Sequence, residues 1–114
     1  MDIMKQVKLG AGSRIVYEWT EGAFAGNVFQ VDLLADGRLT WRVLEGHEPG
    51  SGATEDRVSV REIAPGIAQV SWLESVGYTI TVTIVFAEDR AFGIVSNDKE
   101  LYPHAGKLRE ARAA

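Results

Sequence analysis

Residues 16–46 read VYEWTEGAFAGNVFQVDLLADGRLTWRVLEG, and this stretch decides the fold. At its centre stands Ala35-Asp36-Gly37. Asp-Gly supplies residues that take positive φ readily, as a tight hairpin requires if its strands are to keep their natural twist. On either side lie Asn27–Leu34 and Arg38–Glu45, rich in aromatic, Leu and β-branched residues that alternate with polar ones. Alternation with a period of two places Phe29, Val31 and Leu33 on one face of the first arm, and Val28, Gln30, Asp32 and Leu34 on the other. In the second arm Leu39, Trp41 and Val43 oppose Arg38, Thr40, Arg42 and Leu44. Arg14–Trp19 reads as a strand leading into this hairpin.

The same pattern continues downstream. Gly46–Thr54, with its Pro and glycines, reads as a loop, and Glu55–Ile63 alternates again. Pro65-Gly66 is a turn with Pro suited to its second position and Gly to its third. Ile67–Glu74 is a further strand, Ser75-Val76-Gly77 a turn, and Tyr78–Phe86 the most strand-like run of the chain. Thr79, Thr81 and Thr83 share one of its faces, and Tyr78, Ile80, Val82, Ile84 and Phe86 the other. Ala91–Ser96 forms another short strand. Pro103 argues against a central strand near the C-terminus, so residues 101–112 are expected to form a short strand and then fray. No segment carries a sustained helical repeat. Seven or eight short strands joined mostly by hairpins predict an all-β, antiparallel up-and-down barrel of about eight strands. Such a barrel has room for side chains or one small ligand. Residues 1–13 are expected to be an arm and residues 14–112 a single domain. Gly10-Ala11-Gly12-Ser13 is no phosphate cradle, because a strand rather than a helix follows it.

Composition narrows the function classes. At 114 residues and 46% hydrophobic, the chain suits one domain with a substantial core. It has no cysteine, which removes disulfides, thiolate nucleophiles and Cys-ligated metals. Its two histidines, His47 and His104, have no H-x-x-x-H spacing, so neither a metal nor any other cofactor is expected. A formal charge of −4 argues against nucleic acid and against anionic membranes as partners. No secretory h-region and no apolar run of membrane-spanning length is visible, and a cytoplasmic location is expected.

The order of features in residues 16–46, followed by Pro65–Gly77, PGIAQVSWLESVG, resembles the MoaF-like calycin domains. It is also similar, in reduced form, to phenolic acid decarboxylase, another small calycin barrel. The resemblance spans residues 14–112 and implies a lipocalin-like barrel with a ligand cavity, often a homodimer. The decarboxylase family carries two tyrosines on its first strand, an arginine on the third and a glutamate before the fifth. Strand by strand, these positions fall on Tyr17, Trp19, Arg42 and the neighbourhood of Pro65. No carboxylate stands at that last position, and Glu62 is the nearest acid.

Five residues emerge as candidates for ligand binding: Tyr17, Trp19, Asp32, Arg42 and Glu74. An Arg42 facing the cavity would read a carboxylate through its planar fork, whereas on the outer face it is an ordinary solvated arginine. Tyr17 and Trp19 share a face, from which they either contact an aromatic ligand or pack in the core. Asp32 and Glu74 are acids within strong strands, candidates for proton transfer or for pairing with Arg42 if they face inward. No catalytic residue follows from the pattern. Three readings stand: a barrel binding a small acidic or aromatic molecule, a cofactor-independent lyase or isomerase, and a structural protein-interaction domain.

Overall fold

The computed structural model describes residues 8–113. Nine strands form one antiparallel sheet: β1 (Arg14–Glu21), β2 (Val28–Leu33), β3 (Leu39–Glu45), β4 (Gly52–Glu55), β5 (Arg57–Ala64), β6 (Ile67–Leu73), β7 (Thr79–Val85), β8 (Arg90–Ser96) and β9 (Leu101–Arg112). Their spatial order is β4-β3-β2-β1-β9-β8-β7-β6-β5, so every neighbour is sequential except the β1–β9 pair that draws the chain ends together. The edge strands β4 and β5 are separated only by Asp56. One continuous run thus pairs with β3 in its first half and with β6 in its second, leaving a nearly closed up-and-down barrel. No helix among the described residues is long and apolar enough to cross a membrane.

Period-two alternation sorts inside from outside. Ile15, Tyr17 and Trp19 from β1, Val31 and Leu33 from β2, and Leu39 from β3 join Val70, Trp72, Ile80, Val82, Ile84 and Phe86 in one buried cluster. The Thr79, Thr81 and Thr83 face of β7 turns outward, as its polarity predicts. Each of these core side chains contributes on the order of 1.5–3 kcal/mol on burial. Leu9 packs against the cluster from the N-terminal segment, while residues 1–7 of the expected arm lie outside the described residues.

The turns differ in detail from expectation. At residues 35–37 only Gly37 takes positive φ (89°), and Asp36 does not. The loop is closed by Leu34 N–H donating to the Arg38 carbonyl at 2.9 Å and Gly37 N–H to the Leu34 carbonyl at 3.2 Å. This is a three-residue hairpin with glycine in the left-handed position, the alternative to a two-residue primed turn. Pro65-Gly66 behaves as expected, with Gly66 at φ 77°.

Two segments correct the sequence reading. Residues 52–54, assigned to a loop, join Glu55 in β4 and pair with β3. The C-terminal segment does not fray: β9 is a twelve-residue strand paired on both sides. Pro103 is tolerated because the β1 pairing begins only at Ala105, so at Pro103 the strand has β8 alone as a neighbour. Two β-bulges in the β1–β9 pair bend the strands where the barrel closes.

Candidate functional site

A cavity of about 550 Å³ opens at the end of the barrel formed by the β1–β2, β3–β4 and β6–β7 loops. Its wall begins with the alternation of β1, which sends Tyr17 and Trp19 inward together. Phe29 and Trp41 follow on the inner faces of β2 and β3. The rings run in sequence: Trp19 to Tyr17 at 4.9 Å between centroids, Tyr17 to Phe29 at 5.6 Å, and Phe29 to Trp41 at 6.4 Å. Trp72 on β6, Tyr78, Ile80 and Val95 also line the cavity.

Two glycines shape the place of Trp19, one through the β1 backbone and one under the indole. Gly106 of β9 pairs with Trp19, and a Cβ there would run into the Glu18 carbonyl. The indole then reaches over Gly93 of β8. On its other side it meets the His104 ring, with centroids 5.1 Å apart. His104 is buried, and Phe24 stacks on it at 5.3 Å and 8°. The Phe24 backbone N–H donates to His104 Nε2 at 3.0 Å, which makes that nitrogen the acceptor. The proton therefore sits on Nδ1 and is donated to the Tyr102 carbonyl. Burial holds the His104 pKa below that of an ordinary histidine, so the ring is neutral.

Two acids are tied to tryptophans. Trp72 Nε1 donates to Glu74 Oε2 at 3.0 Å, and Trp41 Nε1 to Glu55 Oε2 at 3.0 Å. Glu74 is half-buried at the first corner of a tight turn, where its N–H donates to the Tyr78 carbonyl and Gly77 takes positive φ. Desolvation raises its carboxyl pKa, the Trp72 bond works against that shift, and the nearby charge of Glu55 adds to it. Burial likewise pushes the Tyr17 phenol up, with the Glu74 charge contributing. Glu74 thus lies in the electrostatic reach of both Tyr17 and Glu55. At the rim, Asn27 Oδ1 accepts the His47 backbone N–H at 2.9 Å, and the next residue, Glu48, is held at φ 56°.

The five candidates divide into two places. Tyr17, Trp19 and Glu74 line the interior. Arg42 and Asp32 share the opposite face of the same sheet and line an open outer groove of about 450 Å³ with Arg14, Gln30 and Thr40. Arg42 is exposed there. Asp32 is paired with Arg14 rather than Arg42, accepting from Arg14 Nε at 2.6 Å and from Gln30 Nε2 at 3.0 Å. Arg42 and Tyr17 therefore do not meet across the cavity. Glu62 is exposed and 3.9 Å from Lys8.

Two buried polar residues that touch the tryptophans of the wall, Glu55 and His104, had no signal in the pattern. Glu55 stands beside the strand-breaking Asp56, and His104 follows a proline, contexts that read locally as surface. Among the described residues no His, Asp and Glu side chains group in a way that would hold a metal ion.

The profile of the MoaF-like family matches residues 11–109. No curated protein matches the chain. A crystal structure from Burkholderia vietnamiensis, of a protein that carries the provisional name beta-lactamase, superposes with a TM-score of 0.74. It is 15% identical and is covered over 96% of its length by 90% of this chain, a likeness of fold alone.

Proposed function

The chain belongs to the MoaF-like family, and we propose that its barrel binds a small molecule with an aromatic or apolar body in the interior cavity. The observation that carries this reading is the continuous wall of rings from Trp19 through Tyr17 and Phe29 to Trp41, facing a cavity of about 550 Å³. Ligand sites are concave and mostly apolar, with a few polar groups that fix orientation, and volumes of ~300–1,000 Å³ are usual. Glu74, Glu48, His47, Asn27, Ser51 and the Tyr17 and Tyr78 hydroxyls are the polar groups here. The interior is supplied with acceptors rather than cations, so the aromatic part of the expected ligand suits it better than the acidic part.

All three tryptophans of the chain, Trp19, Trp41 and Trp72, line this cavity. Intrinsic fluorescence is therefore a direct reporter. Titration with small aromatic compounds should change the emission saturably and raise the melting temperature in step. A ligand at ~100 times its dissociation constant adds about 2.7 kcal/mol to stability. If a broad panel of such compounds moves neither signal, the cavity reading is wrong.

A further inference from the structure

The charge inside the barrel is one-sided. Among the described residues, the ionisable side chains at the cavity are Glu74, Glu48, His47, Tyr17 and Tyr78, with no Arg or Lys. Glu55 is buried alongside, held by Trp41, and its field acts on Glu74. The ring faces add to this, because an aromatic quadrupole is negative above and below the ring plane. An anionic ligand would leave water for a lining that holds carboxylates and ring faces and, among the described residues, no Arg or Lys to pair with it. A cation would meet the reverse, attracted both by the ring faces and by a partly desolvated carboxylate.

The geometry of Glu74 fits such a guest. Its Oε2 accepts the Trp72 indole N–H, which fixes the carboxylate at the cavity wall. Among the described residues no donor is bonded to Oε1. Tyr17, the centre of the ring wall, lies close enough to feel the Glu74 charge. Resting on the cavity reading above, we propose that the interior selects an organic ammonium: the Glu74 carboxylate receives the N–H donors, and the rings of Tyr17, Trp19, Phe29 and Trp41 receive the apolar body.

The test is a tryptophan-fluorescence titration with benzylammonium, benzyl alcohol and phenylacetate, near-matched in size and differing in charge. A charge-assisted hydrogen bond in a desolvated site should favour the ammonium by roughly tenfold or more over the alcohol. Phenylacetate should bind weakest. Glu74→Gln, which keeps an oxygen for the Trp72 bond, should erase the preference for benzylammonium while leaving benzyl alcohol bound. Arg42→Ala, on the outer face, should leave the order unchanged. Equal or tighter binding of phenylacetate, or a preference that survives in a folded Glu74→Gln protein, overturns the ammonium proposal and leaves the cavity reading standing. Because the wild-type ranking needs no variant, a Glu74→Gln protein that fails to fold still leaves the proposal decided. Silence from all three probes overturns the ammonium proposal, and the broad aromatic panel then decides the cavity reading.

Discussion

Gly93 and Trp19 lay claim to the same space: a Cβ on Gly93 would stand 2.5 Å from Trp19 Cη2 and 2.8 Å from Cζ2. The indole is 2% exposed and packed against Tyr17 and His104, so giving way to that Cβ means shifting into the cavity it lines and loosening both ring contacts. Gly93→Ala should therefore destabilise the barrel by about 1–3 kcal/mol, the usual range for an overpacked core. For a domain near this size, each kcal/mol lowers the melting temperature by roughly 4–8 °C. Trp19→Phe in the same chain should restore part of the loss. A Gly93→Ala protein that melts with wild type would mean the indole does not lie over β8.

His104 should make stability depend on pH. Its pKa is lowered in the folded state from the ordinary 6.5. Below about that value the unfolded chain takes up a proton that the folded chain refuses, so stability is full above it and falls as the solution is acidified. Protonation also abolishes the acceptor that Nε2 offers to the Phe24 N–H. Glu74 acts in the opposite sense, since its raised carboxyl pKa costs stability as pH climbs above the unfolded value near 4.5. Comparison of wild type with His104→Gln separates the two. Chemical denaturation between pH 5 and 7.5 should show a flatter profile for the variant, and parallel profiles would assign the slope elsewhere.

The Trp41–Glu55 bond predicts a graded response. Glu55→Ala removes the acceptor of the indole N–H, and an unpaired buried donor costs about 1–3 kcal/mol. Glu55→Gln retains an oxygen and should lose less. Equal losses would show that the carboxylate charge, not the hydrogen bond, stabilises this position.

Arg42 offers the converse case. It lies exposed on the outer face, across the sheet from the ring wall. Arg42→Ala should melt with wild type and leave the fluorescence response to aromatic compounds unaltered. A lost response would place the binding site in the outer groove with Arg14, Asp32 and Thr40.

Much of this architecture is legible in the chain because the information is local. The pleat alternates side chains from residue to residue, so Tyr17 with Trp19, and Leu39 with Trp41 and Val43, had to share faces. Turn glycines such as Gly37, Gly66 and Gly77 mark hairpins because the backbone there takes positive φ, which glycine adopts without strain. These two signals suffice for an antiparallel barrel of short strands. They also separate Arg42 from Trp41, and therefore predict that only one of them can face a ligand inside.

Which face becomes the interior is another matter, and so is every contact across the seam. Alternation is symmetric: it groups Thr40, Arg42 and Leu44 without saying that they lie outside. That choice follows from total apolar burial, once Leu33 and Leu39 join β1, β6 and β7 in one core. The pairing of β1 with β9 joins residues some ninety positions apart, such as Trp19 with Gly106. Only that closure buries His104 between Trp19 and Phe24, and lets Pro103 sit in a long strand with no partner on one side. The bend at Asp56 likewise turns Glu55 inward to Trp41 and its field toward Glu74. The amino-acid sequence by itself determined strands, turns and shared faces, because those depend on neighbours along the chain. The sidedness of the sheet and the carboxylates of the cavity were decided by tertiary structure, because burial is a property of the closed barrel and not of any one strand.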